Sequence, residues 1–217
     1  MRRRAFVLSV AAVICLSAGI GFAADPVKVA CVGDSITAGA GIKNPADKYP
    51  AQLGVILGDG WKVENFGVSG TTLLKKGDHP YWKVDNCKKA HDFNPDVVVI
   101  KLGTNDSKPQ NWKFKDEYVA DYVELIKSFQ LLESKPKVWI CYPVPAYPGQ
   151  WGITDKVMKE EVMPLIDQVA KEAKVKIIDL YTALSDKKEM FPDTVHPNPA
   201  GAKVMAETIA KVLSDKK

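Results

Sequence analysis

Beyond residue 4 the sequence has no arginine, because Arg2, Arg3 and Arg4 are the only ones among its 217 residues. Without a guanidinium there is no bidentate clamp for a carboxylate or phosphate. That counts against ligands recognised chiefly through an anionic head group, although lysine remains available as a point charge. Cysteine is scarce too. Apart from Cys15 near the N-terminus, Cys31, Cys87 and Cys141 form an odd set that cannot pair completely within the chain. Cys31 and Cys141 fall in apolar, strand-like runs and are expected to be buried free thiols. Cys87 falls in a polar helical stretch and is expected to be inert and partly exposed. No spacing matches a zinc ligand set, and no disulfide framework is implied. Histidine occurs only as His79, His91 and His196, so each can be weighed as a candidate base.

The N-terminus has the pattern of an export leader. Three arginines precede an apolar and small-residue stretch from Ala5 to Phe22, and Gly21-Phe22-Ala23 offers small residues at the positions a signal peptidase reads. Cleavage after Ala23 is expected, leaving residues 24–217 as a single domain, secreted or periplasmic, with no stable membrane anchor. Cys15 does not lie in a convincing lipoprotein cleavage box. The remaining 27 lysines face 26 acidic residues, a balance of about +1 that argues against a nucleic-acid or polyanion binder.

Apolar runs of strand length recur at long intervals: 27–32, 61–66, 96–102, 138–142 and 175–180. Val97-Val98-Val99-Ile100 is continuous rather than alternating, as expected of a strand covered on both faces. Helical stripes lie between the runs: Tyr118, Tyr122, Leu125, Ile126 and Phe129; Val162, Leu165, Ile166 and Val169; and Met205, Ile209, Val212 and Leu213. Strand–helix alternation along the whole chain predicts an α/β fold with a parallel sheet between helical layers. In such a sheet, chemistry collects at the carboxyl ends of the strands.

The loops expected at that edge carry the candidates. Ser35 directly follows the first strand, where serine is ordinarily a helix cap; as a nucleophile it needs a base. His91 falls in a polar helical stretch that suggests a solvated surface role. His79 precedes Pro80 and has only Asp78 as a nearby acid. His196 has Asp193 three residues before it, a spacing that lets a carboxylate reach Nδ1 and leaves Nε2 free for a serine. Gly70 can bring a bare backbone N–H close to a ligand, and Asn105 can present a side-chain amide. Each residue alone has an ordinary turn or cap explanation. Four such coincidences at one sheet edge are harder to dismiss, and together they supply what acyl transfer requires.

Gly33-Asp34-Ser35, Ser69-Gly70, Gly103-Thr104-Asn105-Asp106 and Asp193-Thr194-Val195-His196-Pro197 resemble, in order, the four sequence blocks of the SGNH hydrolases, the GDSL-type esterases and lipases. Isoleucine follows Ser35 where the family label has leucine, a conservative packing change. The resemblance implies a three-layer α/β/α, flavodoxin-like fold with a five-stranded parallel sheet. It implies Ser35 as nucleophile, His196 as base and Asp193 as its orienting acid, with an oxyanion hole from the Ser35 and Gly70 N–H groups and the Asn105 side chain. Neither a metal nor an organic cofactor is implied. The loop character is similar to that of bacterial carbohydrate O-acetylesterases, which favours de-acetylation of a glycan ester. A lipid or lysophospholipid esterase, or a thioesterase, is the alternative within the family. A non-catalytic glycan-binding module is disfavoured because binding requires no nucleophile–base pair. Tyr147 and Trp151 in a proline-rich loop, with Trp82 and Trp112 beyond the Gly70 and Asn105 loops, are the aromatic candidates for sugar contact; covering the helices is their ordinary alternative.

Overall fold

The computed structural model describes residues 25–214, so the expected leader lies outside the described residues. Five strands, β1 (Val27–Gly33), β2 (Trp61–Gly67), β3 (Val97–Lys101), β4 (Lys137–Cys141) and β5 (Lys176–Ile178), form one sheet. Their order is β2-β1-β3-β4-β5 and every neighbouring pair is parallel. Nine α-helices occur among the described residues: α1 (Ser35–Ala38), α2 (Tyr49–Leu57), α3 (Asp85–Asp92), α4 (Pro109–Trp112), α5 (Tyr118–Gln130), α6 (Asp155–Val157), α7 (Met163–Ala173), α8 (Leu180–Leu184) and α9 (Pro199–Ser214). None is long and apolar enough to cross a membrane.

Successive strand residues point to opposite faces, and the core divides accordingly. Val29, Cys31, Val99, Trp139 and Cys141 pack with Tyr49 and Leu53 of α2 and with Met205 and Ile209 of α9. Ala30, Val32, Val98, Ile100 and Ile140 pack on the other face with Tyr122, Ile126 and Phe129 of α5 and with Ile166 and Val169 of α7. The continuous apolar run in β3 is thus explained by two covered faces, since all five residues are buried. At the sheet's far edge β5 is shorter than its apolar run. Asp179 accepts the Thr182 N–H at 2.8 Å and caps α8, so Leu180 turns into a helix.

Two sequence-based expectations change in this frame. Cys87 is buried, because α3 turns Cys87 and Ala90 toward the sheet while its charged residues face out. Burial holds its thiol up at about 11 and that of Cys31 at about 12, and Cys141 is pushed up further. None of the three thiols is therefore a thiolate nucleophile at neutral pH. His91 is not a solvated surface group either. Its ring stacks on Phe129 at 4.0 Å, and its nitrogens lie 2.8 Å from the Cys87 carbonyl and 2.9 Å from Ser128 Oγ.

The loop after β2 is tied down by a buried acid from the loop after β3. The Asp106 carboxylate accepts the Leu73 and Leu74 N–H groups at 3.0 and 2.7 Å. Burial outweighs these two donors and pushes the carboxyl up to about 7, with the Asp34 charge adding to the effect. The folded state therefore holds a proton that an unfolded carboxyl, with its pKa of about 3.9, has already released. This contribution to stability is complete below about pH 4 and is lost as pH rises through about 7. The thermal midpoint of the wild type relative to Asp106→Asn should accordingly fall between about pH 4 and about pH 7 and level off above that in paired melting curves. A pH-independent difference would contradict the assignment.

Candidate active site

β1 is paired on both sides, with β2 and with β3, so its carboxyl end opens at the point where the strand order reverses. The turn there is short. Asp34 has an extended backbone (φ −93°, ψ −152°), and its carboxylate accepts the Ile36 N–H at 3.0 Å. Asp34, not Ser35, is therefore the cap of α1, and the ordinary explanation of Ser35 as a helix cap does not hold. Ser35 is instead the first helical residue, 8% exposed, with its hydroxyl unspent on the backbone.

That hydroxyl lies 2.8 Å from His196 Nε2, across 161 residues of sequence. His196 Nδ1 lies 2.7 Å from Asp193 Oδ2, while Asp193 Oδ1 accepts the His196 and Val195 N–H groups at 2.7 and 3.0 Å. With the carboxylate facing Nδ1, the proton is favoured there and Nε2 is left to accept from the serine. The Asp193 carboxyl is partly buried, which opposes ionisation. The two N–H donors and the imidazole overcome this and hold it below its ordinary value. The tight turn is bought with backbone strain, since the β-branched Thr194 sits at φ +70°. Its N–H donates to Phe191 O at 3.0 Å and its carbonyl accepts the Tyr147 N–H at 2.7 Å, which holds it there.

Gly70 and Asn105 come to the same cleft. Gly70 has φ +82°, a left-handed conformation that excludes most other residues. Asn105 donates one amide hydrogen to Thr71 O at 3.0 Å, and its own carbonyl accepts Asn111 Nδ2 at 2.9 Å. The second Asn105 amide hydrogen and the N–H groups of Ser35 and Gly70 have no acceptor among the described residues. Ser35, Gly70, Asn105, His196 and Trp151 line a cleft of about 240 Å³. Among the described residues no cluster of three or more His, Cys, Asp or Glu side chains could hold a metal ion.

Of the four aromatic candidates, only Trp151 is at this cleft. It is 56% exposed, with its ring centroid 5.6 Å from that of His196. The others are committed elsewhere, because a buried indole N–H or phenol O–H needs a partner. Trp112 is buried against Tyr118 and donates to Glu161 at 2.8 Å. Trp82 donates to Leu73 O at 3.1 Å beneath the Lys75 ammonium. Tyr147 donates to Leu184 O at 2.6 Å, also reaches Ser185 O, and packs edge-on to Phe191. His79 is exposed, with Nδ1 close to Gly70.

Lys101 was not anticipated from sequence. It is fully buried, and its ammonium lies 3.1 and 3.3 Å from the two Asp34 carboxylate oxygens and 2.5 Å from Thr104 Oγ1. The available signal was a charge inside an apolar run, between Ile100 and Leu102. A buried charge needs a buried partner, and the partner comes from another strand's loop. Lys108 and Ile153 also line the cleft without having been singled out.

Residues 31–204 match the model of the GDSL-like lipase/acylhydrolase family. An acetylxylan esterase of Xylanibacter ruminicola is 45% identical over 208 residues, covering 87% of this chain. The chain spans only 43% of that relative's length. Among solved structures, a carbohydrate acetylesterase from Sinorhizobium meliloti superposes with a TM-score of 0.72 at 20% identity, covering 87% of this chain and 99% of the other. An aryl esterase of M. smegmatis gives 0.70 at 19%, with the same coverage. At those identities the two structures speak for the fold alone, whereas the sequence blocks and the family model identify the lineage: the chain belongs to the GDSL-like lipase/acylhydrolase family.

Proposed function

We propose that this protein is a serine esterase that removes O-acetyl groups from a carbohydrate through an acyl-enzyme. The observation that carries the reading is the unbroken chain of hydrogen-bond contacts from Ser35 Oγ to His196 to Asp193, beside donors that have no acceptor of their own. In the proposed reaction His196 Nε2 takes the Ser35 proton as the hydroxyl attacks the ester carbonyl. The Ser35 and Gly70 N–H groups and the Asn105 amide hold the resulting oxyanion. His196 then gives that proton to the departing sugar oxygen, which leaves as a hydroxyl. In the second half it takes a proton from the water that attacks the acyl-serine and returns it to Ser35 Oγ as acetate leaves.

The choice of acetyl over a longer acyl group is supported by the small cleft, about 240 Å³, and by the relative that is an acetylxylan esterase. Trp151 stands beside His196 with more than half its surface exposed and is proposed as the face on which a sugar ring stacks. Residues 1–23 are proposed as a cleaved export leader and residues 24–217 as one hydrolase domain that meets its glycan outside the cytoplasm.

Asn105→Ala should keep the fold but lower kcat by roughly 100- to 1000-fold, by analogy with other oxyanion-donor deletions. Wild-type turnover of 4-nitrophenyl acetate by a folded Asn105→Ala protein would remove Asn105 from the site. Acetylated xylan and 4-nitrophenyl acetate should be cleaved far faster than lysophospholipid or a long-chain nitrophenyl ester. A clear long-chain preference would instead assign a lipid substrate. Trp151→Ala should raise KM for acetylated xylan several-fold, in keeping with the loss of about 1 kcal/mol of ring contact, and leave turnover of 4-nitrophenyl acetate nearly unchanged. Equal losses on both substrates would argue against a sugar-stacking role.

A further inference from the structure

The α1 cap places an anion beside the site. Asp34 is fully buried, precedes the nucleophile by one residue, and spends its carboxylate on the Ile36 N–H. In the proposed reaction negative charge develops on an oxygen held by the neighbouring Ser35 N–H. A bare Asp34 carboxylate would oppose that charge through a low-dielectric interior, where like charges act strongly on each other. The ionisable groups that feel Asp34 cannot offset it. Tyr49, Tyr118 and Tyr122 stay neutral, pushed well up by burial, and Asp106 is itself an acid. The ion pair to Asp34 among the described residues comes from Lys101, 1% exposed at its side chain. The same ammonium meets Thr104 Oγ1 at 2.5 Å, one residue before Asn105. It therefore joins the turn that carries Ser35 to the loop that carries Asn105.

We propose that Lys101 is a positioning residue of this esterase: it acts through Asp34, cancelling that carboxylate's charge beside the developing oxyanion. It touches no substrate, so its effect falls on the chemical step rather than on binding.

The test compares single and double variants of the full chain on 4-nitrophenyl acetate. Lys101→Met should lower kcat by roughly 10- to 100-fold with KM within about twofold of wild type, because only transition-state charge is affected. Adding Asp34→Asn, whose amide oxygen can still accept the Ile36 N–H, should recover at least about fivefold of that loss, since the uncompensated charge is gone. A double variant no faster than Lys101→Met, or a loss carried mainly by KM, overturns the proposal and leaves Lys101 with packing alone. Lys101→Gln replaces Lys101→Met if the latter does not fold. If neither single variant folds, Lys101→Met/Asp34→Asn is compared with wild type. A kcat within about tenfold supports the proposal, since donor loss alone would exceed that, and a kcat as low as that of Ser35→Ala overturns it. The inference rests on the proposed esterase reading. That reading fails separately, if wild-type protein neither turns over 4-nitrophenyl acetate nor is labelled at Ser35 by a fluorophosphonate.

Discussion

The pairing of β1 with both β2 and β3 is the constraint on which the rest depends. It buries Val29 to Val32 completely and closes the centre of the sheet. At the same time it leaves no strand-to-strand cover over the carboxyl end of β1, where the chain must leave the sheet. Ser35 emerges there, with the loops after β2 and β3 on either side. Gly67 at the end of β2 lies against the backbone of α1 so closely that an added Cβ would stand 2.3 Å from the Ala38 nitrogen. The packing of strand end against helix start therefore tolerates no side chain at this point. Hydrophobic burial supplies the driving force, and the site inherits its position from the sheet.

Side-chain struts then convert a coarse position into a fixed geometry. Asn65 on β2 donates to Thr37 O at 2.8 Å and accepts the Gly67 N–H at 2.9 Å, tying β2 to α1. Asp106 holds the segment from Leu73 to Leu74, and Asn111 joins the carbonyl of Asn105 to Asp78 on the neighbouring loop. Lys101 bridges the Ser35 turn and the Thr104 loop. Each of these polar groups is satisfied by a partner far away in sequence, as the cost of burying it requires. Such supports hold these long loops in place around the cleft.

Much of this was legible in the chain itself. All five apolar runs became strands with ends within a residue or two, and the helical stripes at 118–129 and 205–213 face the core as their spacing required. The candidates Ser35, Gly70, Asn105, Asp193 and His196 share one edge because each follows a strand or precedes a helix, which a parallel topology sends to the same side. Less readable were groups whose role depends on a distant partner. Trp82, Trp112 and Tyr147 resemble Trp151 in sequence context, but their N–H and O–H groups found acceptors in Leu73, Glu161 and Leu184. Cys87 and His91 lie in a polar segment, and only the side of α3 that meets the sheet decided that they are covered.

By itself, then, the sequence determined the strand–helix alternation and the parallel sheet. It also determined which candidate groups fall at the sheet's carboxyl edge, because hydrophobic periodicity and turn chemistry are local properties. Only the tertiary structure decided that Asp34 rather than Ser35 caps α1, that Lys101 lies buried against Asp34, and that Trp151 alone of the four aromatics stands at the cleft. Those outcomes turn on which of several nearby hydrogen-bonding and charged partners is reached once the layers close. That competition is settled by distances between residues 2 to 161 positions apart, not by the pattern of residues along the chain.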